Sequence, residues 1–260
     1  IWNELTIPPG LKSGYDNMVG NTAHLTGTGL QSTDATTLYI PFQFWFCRNP
    51  GLAVPLIALQ YHEVKINLEF NENPATDGTM KSPSLWVDYI YLDTDERRRF
   101  AQVSHEYLIE QLQYTGPESI GGDSASVNKV RMNFNHPVKE LVWVADGSGV
   151  SSMDWGALSG KVKMLLNGHD RFAERDSDYF KLVQPYQHHT RVPTKSVHCY
   201  SFALKPEEHQ PSGTCNFSRI DNATLQVGTA ASENRNLRLF AVNYNVLRVM
   251  SGMGGLAYSN

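Results

Sequence analysis

The sequence is poor in charged residues and in long apolar runs. Charged residues make up 18% of its 260 residues, whereas about a quarter is usual for soluble domains. No run of about 18 apolar residues occurs, so we expect no membrane-spanning helix, and we find no signal peptide ahead of the fold. The chain opens at Ile1 without a methionine, so we expect a processed chain or one whose earlier residues are missing.

Cysteine is also scarce. The three cysteines are Cys47, Cys199 and Cys215, an odd number, and each lies in an apparent strand. A small secreted domain held by disulfides would need an even and denser set. We therefore predict buried free thiols in a chain made in a reducing compartment.

The short motifs of common enzymes are missing. We find no phosphate-binding glycine loop, no dinucleotide fingerprint, no zinc-protease helix motif and no serine nucleophile elbow. The net charge is −4 and no basic tail is present, so nothing indicates direct nucleic-acid binding. We interpret Arg97, Arg98 and Arg99 as a solvated face rather than a phosphate site.

Aromatic residues are abundant, at 11% of the chain, with five Trp and twelve Tyr. Many aromatics with few charges indicate extensive buried or subunit-contacting surface. The clearest stretch is Pro41–Phe70, where two apolar runs flank the turn sequence Asn49-Pro50-Gly51. Leu56–Phe70 alternates with a period of two, which predicts a long strand and a hairpin. Because a hairpin alone is only marginally stable, the rest of the chain must supply an opposing sheet.

Further along the chain, turns recur about every 8–15 residues between apolar runs, which is typical of a β-sandwich or jelly roll. Asp93–Phe100 is predicted as a short helix capped by Asp93 or Thr94. The predicted strands are Leu85–Leu92, Ser104–Gln113, Val127–Phe134, Val138–Val144, Gly160–Leu166, Tyr179–Tyr186, Val197–Leu204, Thr214–Ile220, Ala223–Val227 and Leu237–Val249. Ser104–Gln113 also fits a helix, and we favour the strand.

Two sets of residues are candidates for chemistry. Because neighbouring residues on a strand point to opposite faces, only one histidine of the pair His188-His189 could join His198 and His209 at a metal. We favour a structural loop or interface there. A glycosidase needs two carboxyl groups about 5–10 Å apart beside sugar-stacking aromatics. The carboxylate pairs that we considered are Glu63 with Glu69, Asp88 with Asp93, and Asp176 with Asp178.

Several stretches together resemble the major capsid proteins of nucleocytoplasmic large DNA viruses, the group that includes iridoviruses and phycodnaviruses. They cover well over a third of the chain, from end to end and in the family's order. These stretches are Gly14–Asn21, Pro41–Phe70, Leu85–Gln113, Phe134–Val144, Tyr200–Leu225 and Val246–Asn260.

The resemblance implies an all-β double jelly roll, that is, two eight-stranded antiparallel β-sandwiches side by side. Family members are usually longer than this chain. Residues 1–102 would therefore be the C-terminal part of a first, incomplete jelly roll, and residues 103–260 would be the second. Half a sandwich leaves unpaired edges and an open apolar face.

The resemblance also implies a structural function. We expect a homotrimer of pseudo-hexagonal outline that tiles an icosahedral shell in the virion and is assembled in the host cytoplasm. Its partners would be neighbouring capsomers, minor capsid and penton proteins and proteins of an inner viral membrane, with no direct nucleic-acid contact. We expect no catalytic residue, no cofactor and no metal. The alternative is a carbohydrate-binding or glycoside-hydrolysing jelly roll, for which Trp45, Trp86, Trp143 and Trp155 would line a groove.

Overall fold

The fold was analysed in a computed structural model. The residues that the structure describes are 1–26, 36–69, 82–121, 125–147, 155–156, 158–230 and 234–259. Phe70, the last residue of the predicted hairpin, lies outside them.

The part of the chain after residue 104 forms a sandwich of two antiparallel sheets. The strands are β1 His105–Ile120, β2 Ser126–Arg131, β3 Pro137–Gly147, β4 Lys161–Leu166, β5 His169–Asp170, β6 Arg175–Asp176, β7 His198–Ser201, β8 Cys215–Asn216, β9 Ala223–Thr229, β10 Arg235–Met250 and β11 Met253–Leu256. The first sheet has the strand order β1-β10-β3-β7, with β8 paired to β3 and β11 paired to β10. The second sheet has the order β2-β9-β4-β5, with β6 paired to β4.

The core of the sandwich lies between the two sheets and is supplied by alternating residues. On β3, Leu141, Trp143 and Ala145 are fully buried in this core. Val142 and Val144 lie on the opposite, outer face of the first sheet, where they join a second and smaller apolar cluster. Alternate side chains of β3 thus enter two different apolar clusters, and both faces of this strand are buried.

The ladder between β3 and β10 contains a β-bulge. Val242 lies opposite Glu140, but the next residue, Asn243, lies opposite Val138. Lys139 is thus an extra residue in β3, and an extra residue re-aims the side chains around it. Both Lys139 and Glu140 are fully buried.

The first hundred residues carry helices and irregular chain. The α-helices are α1 Trp2–Thr6, α2 Pro9–Val19, α3 Ala23–Thr26, α4 Trp45–Arg48 and α5 Thr94–Gln102. Short 3-10 turns span Pro50–Leu52 and Leu56–Ala58. Among the described residues, no helix is both long and apolar enough to cross a membrane.

The hairpin prediction for Pro41–Phe70 is wrong in this structure. Trp45–Arg48 is helical, and residues 59–69 carry neither helix nor strand. The strand predicted at Leu85–Leu92 is also missing, and the side chains there are exposed on both sides. A strand needs a neighbour to take its backbone hydrogen bonds. The first stretch has a backbone bond from Tyr61 N–H to the Gly252 carbonyl, but no described segment forms a β-ladder with either stretch. Alternation alone therefore does not produce a strand.

Most of the remaining predictions are confirmed. Helix α5 begins with a capping box, in which Asp93 accepts from the backbone of Glu96 and Glu96 accepts from that of Asp93. The predicted strand Ser104–Gln113 is the first part of β1. Strands β2, β3, β4, β7, β9 and β10 lie where alternation placed them.

Two further strand predictions are wrong. Tyr179–Tyr186 forms a π-helical turn, Tyr179–Val183, that continues into α6, Gln184–His188. Its proline, Pro185, lies in the first turn of α6 and has no N–H to extend the π-helical bonding beyond Gln184. Thr214–Ile220 contains only the two-residue β8, after which Asn216 starts a 3-10 turn by accepting from the backbone of Ser218.

Candidate functional site: a buried joint on the outer face of the first sheet

The outer face of the first sheet is covered by helix α1. Leu5 of α1 is fully buried and packs in one cluster with Val142, Val144, Val197 and Cys199. We call the contact of α1 and α4 with this face the joint. It ties the first, largely helical part of the chain to the sandwich.

Arg191 fastens the backbone of α1 to the sandwich. Its guanidinium donates to the carbonyl oxygen of Glu4 at 2.6 and 2.8 Å and pairs with the carboxylate of Glu4 at 2.7 Å. The backbone N–H of Arg191 donates to the carbonyl of Leu5 at 3.0 Å. Arg191 is 8% exposed, so these charge-assisted bonds are shielded from water and hold the helix in one position.

Trp2 of α1 lies among cations. The Lys139 ammonium lies 5.5 Å and the Arg48 guanidinium 5.1 Å from the centre of its ring. The ring of His189 meets it edge-on at 6.3 Å. Cations over an indole face are attracted by its quadrupole, and more strongly when they are desolvated.

Glu110 of β1 pairs with both cations. Lys139 donates to Glu110 at 2.6 Å and to the carbonyl of Pro206 at 2.7 Å, and Arg48 of α4 pairs with the other oxygen of Glu110 at 2.9 Å. Burial lowers the pKa of Lys139, and the charge of Glu110 only partly opposes that effect. The bulge in β3 brings Lys139 to this contact, so a local backbone irregularity completes the joint.

A second buried charge group lies beside the first. His189 directly follows α6, and its side chain is fully buried. Its Nε2 meets the Glu140 carboxylate at 2.5 Å and its Nδ1 meets Glu207 at 2.9 Å. Burial alone would lower the pKa of His189, but its bonds to Glu140 and Glu207 outweigh burial and raise the pKa to about 9. His189 is therefore a cation between two anions at neutral pH.

The other candidate histidines do not join His189. His188 is more exposed and contacts the carbonyl of Leu204. His198 is buried and stacks on Trp143 at 5.9 Å; burial and the charge of Lys181 lower its pKa to about 4. His209 lies on a turn. Among the described residues, the one group of three side chains with metal-binding spacing is Glu140, His189 and Cys199.

Of the carboxylate pairs that a glycosidase would need, Asp176 and Asp178 line an open surface depression beside Tyr179. Glu63 is exposed and paired with Lys65. Asp93 is used in capping α5, and the side chains of Asp176 and Asp178 are exposed. The tryptophans do not line one groove, because Trp143 is buried in the core while Trp86 is 88% exposed.

The three cysteines are free thiols. Only Cys199 is fully buried, whereas Cys47 is exposed and Cys215 is half-buried. The prediction of free thiols is thus confirmed, and the prediction that all three are buried is wrong. Burial, with the neighbouring Glu140 charge, raises the pKa of the Cys199 thiol.

The residues of the joint were missed by sequence reasoning. Their one signal was a pair of charged residues, Lys139 and Glu140, inside an otherwise apolar strand, where a buried charge needs a partner. The partners Glu110 and His189 are 29 and 49 residues away along the chain, so no local pattern reveals them.

Two family profiles match the chain. The profile described as large eukaryotic DNA virus major capsid protein matches residues 96–152 and 157–255, and the profile for the major capsid protein N-terminus matches residues 1–93.

Curated relatives match over the whole chain. It is 57% identical to the major capsid protein of Pyramimonas orientalis virus, over 100% of the chain and 71% of the relative. It is 42% identical to the major capsid protein of Phaeocystis pouchetii virus, over 100% of the chain and 76% of the relative.

A solved structure confirms the predicted double-jelly-roll fold class. The quasi-atomic model of the PBCV-1 virus capsid superposes with a TM-score of 0.79 at 38% identity. The match covers 99% of this chain and 78% of that one.

Proposed function

The chain belongs to the family of large eukaryotic DNA virus major capsid proteins, and from that premise we propose that it works by assembly, as a shell subunit without a catalytic site. The observation that carries the proposal is the likeness to named major capsid proteins along the whole chain. The stiff antiparallel sandwich supports it, because every interior backbone group of such a wall is paired.

The capsomer is a homotrimer. Closed three-fold contact produces a compact unit, and weaker edge contacts then tile units into an icosahedral shell. The exposed apolar side chains support such contacts, since a soluble protein rarely leaves a large contiguous apolar patch open to water. Trp86, Tyr89 and Tyr91 are 88%, 63% and 92% exposed within six residues of chain.

Residues 1–102 belong to a first jelly roll, and residues 103–260 form the second. The ends of the two family profiles, at residue 93 and residue 96, support this boundary. The exposed stretches 60–69 and 82–93 then contribute to the first jelly roll once strands from elsewhere pair with them. The joint holds the two parts in a fixed relation.

A subunit of a virus shell has binding partners on each side of it. They are neighbouring capsomers, minor capsid and penton proteins, and proteins of an inner viral membrane, in a virion assembled in the host cytoplasm. Direct genome contact is not part of the function, because the net charge is −4 and counterion release from nucleic acid requires a basic surface.

The mass of the full gene product in solution tests this proposal. We expect light scattering to give three times the chain mass, and electron microscopy to show pseudo-hexagonal particles. A double variant, Trp86→Ser with Tyr91→Ser, should shift the product toward monomer while its circular dichroism spectrum stays that of the unchanged protein, which shows that the first jelly roll still folds. The matched control is Leu11→Ser on α2, which is 65% exposed and should leave the trimer intact. A monomer that cleaves oligosaccharides would overturn the proposal.

A further inference from the structure

Three buried side chains of different chemistry converge at the joint. Glu140 lies on β3, Cys199 lies on the neighbouring β7, and His189 follows α6. Their ligand atoms all lie within 4.8 Å of one another, and all three side chains are buried. Since Val142 is paired with Cys199 and Glu140 with Ser201, the ladder of the first sheet fixes the spacing of the carboxylate and the thiol.

Glu207 orients the histidine for binding. Its carboxylate accepts from the Nδ1 side of His189 at 2.9 Å and is itself held by the backbone N–H of Thr190 at 2.8 Å and by the Thr190 hydroxyl. A histidine whose Nδ1–H is bonded to a carboxylate presents Nε2 as a basic lone pair once the second proton leaves. Nε2 is the atom that points at Glu140.

One oxygen of the cluster lacks a strong donor. Oε1 of Glu140 is bonded to His189, whereas the buried Oε2 receives no N–H or O–H bond among the described residues. The other hydrogen-bonding contact of this carboxylate is the Cys199 thiol, a weak donor. A buried carboxylate oxygen without a strong donor is costly, so this oxygen is free to bind a cation.

From this geometry we propose that Glu140, His189 and Cys199 bind one zinc ion, with Glu207 as the positioning residue behind His189. Imidazole, thiolate and carboxylate together are a zinc-type donor set. One oxygen of Glu140, Nε2 of His189 and Sγ of Cys199 supply three protein ligands, which leaves the fourth tetrahedral position for a water molecule.

Zinc binds the thiolate and the neutral imidazole. Binding therefore releases the proton of the Cys199 thiol, and any proton on His189 Nε2, to solvent.

The distances require a small contraction. Zinc ligands lie about 2.0–2.3 Å from the metal, which places tetrahedral ligand atoms roughly 3.3–3.8 Å apart. The cluster spans up to 4.8 Å, so Cys199 and His189 must approach by about 1 Å while the direct bond between His189 and Glu140 opens. A bound ion would link β3, β7 and the end of α6 directly beneath α1, which strengthens the joint.

Metal binding by the isolated, tag-free full gene product tests the inference, and the measurement does not depend on assembly. The protein is first stripped with a chelator and then titrated with zinc in competition with a chromophoric chelator. We expect one equivalent to bind tightly. Glu207→Gln should weaken binding by about 10–100-fold. The control is the adjacent Glu208→Gln, whose carboxylate is exposed and paired with Lys205, and it should leave zinc affinity unchanged.

Cobalt spectroscopy tests the site without changing its buried ligands, so it gives a result even if variants of those residues fail to fold. In a background in which Cys47, Cys215 and any cysteine outside these 260 residues are replaced by serine, Cys199 is the one remaining thiol. The substitutions at Cys47 and Cys215 do not alter a ligand of the cluster. Bound cobalt should then show a sulfur-to-metal charge-transfer band, and zinc should abolish it. No tight zinc equivalent, no such band in this background, or equal affinities for Glu207→Gln and Glu208→Gln would each overturn the inference.

Discussion

Trp143 is the largest fully buried side chain of the sandwich. Its ring contacts Phe180 at 5.4 Å and stacks on His198 at 5.9 Å. Trp143→Ala would leave a cavity that the close-packed sheets cannot fill, so we expect a loss of about 3–5 kcal/mol in unfolding free energy. Chemical denaturation of the two proteins measures this loss in unfolding free energy.

The exposed Trp86 is the matched control, because truncating its side chain removes few packing contacts. Trp86→Ala should change the stability of the isolated chain by less than about 0.5 kcal/mol. Equal losses for the two variants would mean that β3 does not present Trp143 to the core.

His189 makes the stability of the metal-free protein depend on pH. Its pKa is raised from 6.5 in the unfolded chain to about 9 in the folded one. The stabilisation is therefore fully present below about pH 6.5 and is lost as the pH rises through 9, and its size is on the order of 3 kcal/mol.

The difference between wild type and His189→Gln isolates this contribution, since Lys139 and other groups also titrate. Denaturation in the presence of a chelator at pH 6.5, 8 and 9.5 should show the gap between the two proteins shrinking as pH rises. A gap that stays constant would contradict the assignment of His189 as a buried cation.

At the scale of elements, α1 is held to the sandwich by the apolar side chain of Leu5, by Arg191 and by the contacts of Trp2 with Lys139 and His189. Leu5 is fully buried against β3 and β7, so Leu5→Ala should cost about 2–4 kcal/mol. Because α1 has only five residues, it has little helical stability of its own. Hydrogen exchange should therefore accelerate in α1 while the amides of β10 stay protected.

Leu11→Ala provides the comparison for that experiment. Leu11 lies on α2 and is 65% exposed, so its truncation should leave the exchange of α1 unchanged. If Leu5→Ala instead accelerated exchange in β10 as much as in α1, the joint and the sandwich would unfold as one unit.

The elements also show which structure could be predicted from the sequence. Strands such as β3 and β10 were predictable because each is hydrogen-bonded along both of its edges to other strands of the chain. Leu56–Phe70 alternates just as clearly, but no described segment forms a β-ladder with it. Alternating apolar residues indicate a segment that prefers a half-buried surface. A strand also needs a neighbouring segment to take its backbone hydrogen bonds, and the alternation of one segment does not say whether such a neighbour exists.

The candidate site was less predictable for a related reason. His189 was noticed as one of a pair, but its partners Glu140 and Glu207 come from different elements. The bulge at Lys139 depends on the register of β3 against β10, which no property of Lys139 itself reveals. Burial and long-range pairing decide such sites, and both are properties of the fold.

At the scale of the whole molecule, the two parts of the chain differ in how much of their apolar surface they bury. The sandwich buries its apolar residues between its sheets. In contrast, Leu85, Val87 and Ile90 are at least half exposed, along with the aromatic residues between them. An assembled shell resolves this difference, because contacts between parts and between subunits cover surface that one chain leaves open.

This contrast predicts a change in backbone protection on assembly. Residues 82–93 have no ladder in the isolated chain, so their amides should exchange rapidly there and become protected in intact particles. The amides of β10, which are paired on both sides by β1 and β3, should be slow in both samples and serve as the internal reference. Rapid exchange of residues 82–93 in particles would place this stretch on the outside of the shell, and the exposed aromatic residues would then need a different partner.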